Sequence, residues 1–197
     1  MIIKKIIFCW KYLFVLPHLM YYLFADGKTK KLIEEDVDEM NRRCKINENL
    51  AFFLIFKKPY RNMFYSRVGK RSGRVLSFCL PSYENFTISC NSIGGAAFVL
   101  NHPYATIINA KSIGRNFTIC QLTTIGNKVH GRNDLVPVIG NNVSLGANVN
   151  IMGDIKIGNN VIVGAGSVVV KDVPDNCVVG GIPAKILKYR ESVEKKD

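Results

Sequence analysis

VIGNNVSLGANVNIMGDIKIGNN, residues 138–160, sets an aliphatic side chain at every sixth position: Ile139, Leu145, Ile151 and Ile157. The series runs on to Val163 and Val169, and upstream it passes through Ile107, Ile113, Ile119 and Ile125. Glycine follows many of these residues, as in Ile113-Gly114, Ile125-Gly126, Leu145-Gly146 and Val163-Gly164, with asparagine often two residues further on. An α-helix would rotate residues six apart by about 240°, so it cannot keep them on one stripe. A coil of short strands can. Each six-residue unit then supplies one strand and one turn, the aliphatic residue points inward, and glycine and asparagine accept the turn dihedrals. Successive coils bury a continuous core that no single repeat could bury alone. A sheet sandwich would instead show a period of two, with turns about 8–12 residues apart. The fold predicted is mainly β, a parallel β-helix.

Two irregularities interrupt the period. Going back from Ile107, the register skips two residues and resumes at Val99 and Ile93, which leaves Asn101, His102, Pro103 and Tyr104 in a stretched turn. Between Ile125 and Ile139 lies a longer step, GNKVHGRNDLVPV, residues 126–138. Insertions in a solenoid become surface loops, where function usually resides. Two of the chain's three histidines, His102 and His130, fall in these two breaks.

Before the repeats the texture is helical. Lys30 to Cys44 spaces Leu32, Val37 and Met40 as an amphipathic surface helix, with acids early and Arg42 and Arg43 late. Asn49 to Phe56 is an apolar run, and Pro59 opens a further helix with proline in its first turn. Residues 2–24 are apolar apart from Lys4, Lys5, Lys11 and His18. Lys11 and Pro17 interrupt any span, and no small-residue cleavage site follows. A helix packed on its own domain or lying at an anionic membrane surface is expected. The organisation predicted is a helical region over 1–72, a β-helix over 73–183 and a short helix or tail over 184–197.

The net charge of +12 favours an anionic neighbour: nucleic acid, an acidic leaflet, a phosphorylated cofactor or an acidic polymer. No recognition helix or stacking module accompanies the basic residues, which excludes nucleic acid from the expected partners. Six cysteines at wide, uneven spacing show no zinc or redox pairing and read as buried thiols in a reducing, cytoplasmic compartment.

The stretch Thr87 to Lys188 resembles the hexapeptide-repeat acyltransferases, and most closely the serine O-acetyltransferase branch with its sugar and capsule O-acetyltransferases. Leu100-Asn101-His102 matches that branch's Leu-Asp-His element, and Gly164 to Pro174 through Gly181-Ile182-Pro183-Ala184-Lys185 matches its last coil and exit. The resemblance implies a left-handed coil, acetyl-CoA as co-substrate without a metal, and a homotrimer with active sites between neighbouring prisms. It implies His102 as the catalytic base, and Ala147, Ala165, Val170, Lys171 and Lys185 along the coenzyme groove. Departures accompany the match. Asn101 stands where the branch has aspartate and Ala110 where it has glutamate. Val136 stands at the position of its second histidine, while Asp134 keeps its aspartate.

An alcohol becomes a good nucleophile only as its proton leaves, and an imidazole near neutrality suits that task. Asp134 and Asn101 are candidates to orient His102 or hold the acceptor, and His130 and Asn127 are weaker substrate-binding candidates. Backbone N–H groups at Gly126-Asn127 would suit the oxyanion. The expected activity is acetyl transfer to a hydroxyl of a sugar or surface-polysaccharide precursor. The alternatives are serine O-acetylation and, from another class, a zinc carbonic-anhydrase-like or inactive β-helix scaffold. Zinc would need three converging histidines, whereas the repeat region offers His102 and His130. Contact with the inner face of a membrane is expected of the amino terminus.

Overall fold

The computed structural model describes residues 2–96, 98–99, 103–129, 131–132 and 134–190, leaving aside the side chains of residues 2–10, 98 and 99. The chain divides into two compact units, Met1–Glu84 and Asn85–Asp197.

The second unit is a parallel β-helix with three faces. Its first face stacks β1 (Phe86–Cys90), β3 (Thr106–Ala110), β6 (Thr124–Gly126), β9 (Asn150–Met152) and β12 (Val168–Val169). The second face carries β4 (Ser112–Ile113), β7 (Val138–Ile139) and β10 (Lys156–Ile157), extended by single bridges Ile93↔Ile113 and Ile157↔Val173. The third carries β2 (Phe98–Val99), β5 (Thr118–Ile119), β8 (Ser144–Leu145), β11 (Ile162–Val163) and β13 (Cys177–Gly181). Register follows the sequence period: Ile119 pairs with Leu145, Leu145 with Val163, and Ile125 with Ile151. All of these are buried.

The corners explain the asparagines. Asn116, Asn142, Asn148, Asn160 and Asn176 hold φ of 55–56°, the left-handed region that asparagine tolerates and most residues avoid. The side chains of four of them form a ladder along one corner: Asn116 donates to Asn142 at 2.7 Å, Asn142 to Asn160 at 2.9 Å, and Asn160 to Asn176 at 2.8 Å. Beside them the coils touch closely. A Cβ on Gly146 would lie 2.7 Å from the backbone nitrogen of Ala165, so glycine is required there.

One residue of the predicted stack is displaced. Ile107 is 50% exposed, and Ile108, 2% exposed, faces inward and pairs with Ile125. The left-handed corner before β3 falls at Ala105, and the inward position lies three residues beyond a corner, as Leu145 does after Asn142. The step from Ile108 to Ile113 is then five, so the turn before β3 is one residue longer, and the next corner one shorter, than the spacing of isoleucines in the sequence implies. At the far end, Ala184–Tyr189, expected to begin a terminal helix, forms β14 instead, antiparallel to β13. The strand satisfies the ladder edge that the last coil would otherwise leave open. Cys177 is buried, but Cys44 is exposed and Cys79, Cys90 and Cys120 are half-buried, so the thiols are not uniformly interior as expected.

The first unit contains α1 (Ile2–Phe24), α2 (Gly27–Cys44), α3 (Leu50–Phe56), α4 (Lys58–Val68) and α5 (Lys70–Leu76). The last helix crosses the expected boundary at residue 72, and the first strand of the coil begins at Phe86. Asp26 and Asn49 cap α2 and α3 by accepting from the backbone N–H of Thr29 and Phe52. The buried stripe of α2 is Ile33, Asp36, Glu39 and Met40; Leu32 and Val37, expected inside, are half-buried. Two carboxylates can lie in that stripe because each meets arginine. Asp36 receives Arg67 on both oxygens, at 2.9 and 3.0 Å, and Glu39 receives Arg42 and Arg43. Among the described residues no helix is long and apolar enough to cross a bilayer.

Candidate active site

Both breaks in the period flank the first face. The stretch between β2 and β3 enters that face at one corner, and the stretch between β6 and β7 leaves it at the other. Asn101, His102 and His130 lie outside the described residues. What the structure shows is the frame that carries them.

The incoming loop is pinned at its end. Pro103 is buried, and the Tyr104 carbonyl accepts from Leu122 N at 3.0 Å and from the Thr106 hydroxyl at 3.2 Å. The next residue, Ala105, takes the left-handed turn into β3 with φ of 49°. The residues just after His102 are therefore bonded to the body of the coil.

The outgoing loop is held at several points. Asn127 donates from its amide to the Val129 carbonyl at 2.6 Å, closing the loop's first turn. Further on, Arg132 N reaches Val129 O at 3.2 Å and Leu135 N reaches Arg132 O at 3.1 Å. Lys111 N closes the far end on Pro137 O at 2.9 Å, while Val136, only 4% exposed, is buried. Asp134 projects into solvent with Arg132, which donates Nε to Oδ1 at 2.9 Å and Nη2 to Oδ2 at 2.7 Å. That guanidinium, with help from the aspartate's own backbone N–H, holds the Asp134 carboxyl down at about 2. Asp134 is thus an acceptor of hydrogen bonds at any working pH, not a proton donor. Arg132 was not singled out by the sequence reading. Its only signal there is the spacing Arg132-x-Asp134, which is common to charged loops.

Four of the five residues expected along the coenzyme groove fall at two corners of the prism. Ala147 and Ala165 stand one above the other where the third face turns into the first, and Gly166 N donates to Ala147 O at 2.8 Å. They lie on the same corner as the incoming loop, further along the axis. Val170 and Lys171 follow β12, where the first face turns into the second, the same corner as the Asp134 loop. Both are exposed. Asp172 beside them accepts from Lys156 N at 2.9 Å, so its carboxylate takes the part of a strand carbonyl in closing the last coil. Lys185 is exposed on β14, opposite Gly180. Within one chain the two corners are separated by the width of the first face.

The coil that carries these loops is similar to known proteins in sequence and in fold. Residues 137–171 fit the family described as bacterial transferase hexapeptide, six repeats. WcaB of Escherichia coli K12, named as a colanic acid biosynthesis acetyltransferase, is 46% identical over 114 residues, covering 57% of this chain and 68% of that protein. The chain belongs to the hexapeptide-repeat acyltransferases. Serine acetyltransferase of Bacillus pumilus is 27% identical over 166 residues, 80% of this acyltransferase and 76% of that one. Among solved structures, serine acetyltransferase of Neisseria gonorrhoeae superposes with a TM-score of 0.69 at 27% identity, covering 83% of this chain and 67% of that one. The hexapeptide-repeat coil of this acyltransferase is left-handed, as the sequence resemblance implies.

Proposed function

We propose that this acyltransferase moves acetyl from acetyl-CoA to a hydroxyl of a sugar in a surface-polysaccharide precursor, with His102 as general base. Imidazole takes the proton of the hydroxyl as its oxygen attacks the thioester carbonyl, and returns it to the departing thiol. Such a base contributes about 10²- to 10⁴-fold in rate. Asp134, kept ionised by Arg132, is suited to accept a hydrogen bond from the acceptor, with Asn101, Asn127 and His130 as the further polar groups of the two loops. Ala147, Ala165, Val170, Lys171 and Lys185 serve the pantetheine and phosphates of the coenzyme, without a metal.

The observation that carries a sugar over serine is Val136. A buried, apolar side chain stands where the serine enzymes' second histidine falls, and it offers no hydrogen bond to a small polar acceptor. WcaB's name points the same way. A homotrimer fits the division of the candidate residues between two corners, because neighbouring prisms would set one copy's Ala147–Ala165 corner against the next copy's Asp134 corner. The reading places the protein in the cytoplasm, at the inner face of the membrane.

The test is thiol release from acetyl-CoA, run with a panel of glycan precursors and with free serine. Turnover on a glycan, at least about 100-fold lower in His102→Ala with an unchanged circular dichroism spectrum, is expected. Efficient turnover of serine alone would overturn the sugar assignment, and full activity in His102→Ala would overturn the mechanism.

A further inference from the structure

The helical unit presents an apolar helix face that is exposed among the described residues. On α1 the side chains of Val15 and His18 are buried, while Leu13, Leu16, Pro17, Met20, Leu23 and Phe24 are exposed, Phe24 to 81%. At 3.6 residues per turn, Leu13, Pro17, Met20 and Phe24 fall within an arc of about 60°, opposite the buried side. A soluble surface helix would carry charge there. Leu23 also opens onto a mostly apolar cavity of about 460 Å³ lined by Leu19, Ile33, Val37 and Leu50, with Glu34 and Asp38 in its wall.

The unit that carries this face has an excess of cations, although Asp26, Glu34 and Asp38 are also exposed near it. The unit carries 16 Lys and Arg against 8 Asp and Glu. Lys28 and Lys31 are exposed just beyond Phe24, and Lys57 and Lys58 just beyond α3. Two copies meeting through α1 would bring like charges together, whereas an anionic surface would neutralise them.

We propose that α1 lies in the plane of an anionic lipid bilayer, its Leu13–Phe24 stripe set among the acyl chains and the flanking lysines among the headgroups. Val15 and His18 on the other side of α1 are buried in the unit, so the stripe meets the bilayer from the side as a surface attachment. The inference draws on the first unit alone and does not depend on which acceptor the second unit uses.

The test uses the full chain and vesicles of phosphatidylcholine with or without about 30 mol% phosphatidylglycerol. The chain's one tryptophan, Trp10, lies in α1 and reports insertion by a blue shift. Co-sedimentation with anionic vesicles, a blue shift and release by salt are expected. Leu16→Glu with Met20→Glu should weaken binding at least about tenfold while thiol release in solution persists. Failure of the parent protein to bind anionic vesicles at low salt would overturn the proposal. So would a double variant that binds lipid normally but changes oligomeric state, since the stripe would then be a contact between copies. If the double variant misfolds, Phe24→Ser, at the most exposed position of the stripe, gives the same two outcomes.

Discussion

In the β-helix the fully buried side chains are Ile119, Ile125, Val143, Leu145, Ile151 and their neighbours in the stack, and the polar groups among them are hydroxyls. Those hydroxyls find carbonyls inside the coil: Thr123 bonds to Gly146 O and Ser167 to Gly164 O. In the helical unit the buried set includes Asp36, Glu39, Arg61 and His18. Arg61 spends its guanidinium on the carbonyls of Leu54, Ile55 and Pro81, tying the end of α3 to the segment after α5. A repeating coil has a built-in partner for every backbone group, so its core can be hydrocarbon. Short helices joined by irregular turns leave carbonyls that a charged side chain must satisfy. The first core fails by loss of packing, the second by loss of a partner.

The sharpest way to break that contrast is at Asp36. Its carboxylate and the Arg67 guanidinium are 2% and 3% exposed, so removing one leaves the other charge buried without its counterion. Asp36→Ala should cost about 3–5 kcal/mol, read by urea denaturation of the helical signal, and Asp36→Leu with Arg67→Met should recover most of the loss. A single variant costing under about 1 kcal/mol would mean that solvent reaches the pair and that this core is not partner-limited.

His18 supplies a second, smaller test. Its Nε2 lies 3.0 Å from the Tyr65 hydroxyl, which donates to Leu80 O. Burial, then the nearby Arg61 charge, lowers the imidazole from 6.5 to about 4, against a partial opposing effect of the Phe14 carbonyl. The folded state thus binds the proton less readily than the unfolded chain. Between about pH 6.5 and 4 the unfolded state holds the extra proton, and stability falls as pH falls through that window, then levels off. A loss of about 2 kcal/mol is expected, discounted for residual solvation. It should be absent in a folded His18→Gln variant. A flat stability profile over this window in the parent protein would show that the histidine is solvated after all.

The same contrast decides what could be read from the sequence. Period six, the glycines and the corner asparagines each repeat several times, so one displaced residue, Ile107, did not disturb the register of the rest. The two breaks were visible because a strict period makes departures conspicuous. In α2 there is no repetition to average over. A hydrophobic stripe chosen by apolar residues picked Leu32 and Val37, because Asp36 and Glu39 become core residues only through arginines that lie as far off as Arg67. Arg132 was missed for the related reason that a bidentate pair two residues apart depends on loop geometry. The carboxy-terminal strand was missed because its cause, an open ladder edge on β13, exists only in three dimensions. The families of residues assigned to coenzyme and acceptor came from resemblance, and the coil accounts for them only by placing all the described ones except Lys185 on two corners of one face.

The smallest effect sharpens the comparison from the side of the β-helix. Asn142 holds φ of 56° and both receives from Asn116 and donates to Asn160, so its conformation and its ladder are separable. Asn142→Gly keeps the left-handed corner available and removes only the ladder bonds, which are exposed and worth a few tenths of a kcal/mol each. Asn142→Ala loses the same bonds and must also hold a Cβ in the left-handed region, for a total of about 1–2 kcal/mol. Thermal unfolding of the coil should therefore rank the parent above Gly and Gly above Ala. Equal losses in both variants would mean that the ladder outweighs the backbone conformation. The β-helix would then depend on partnered polar side chains as the helical unit does, and the difference between the two cores would narrow to where those partners sit.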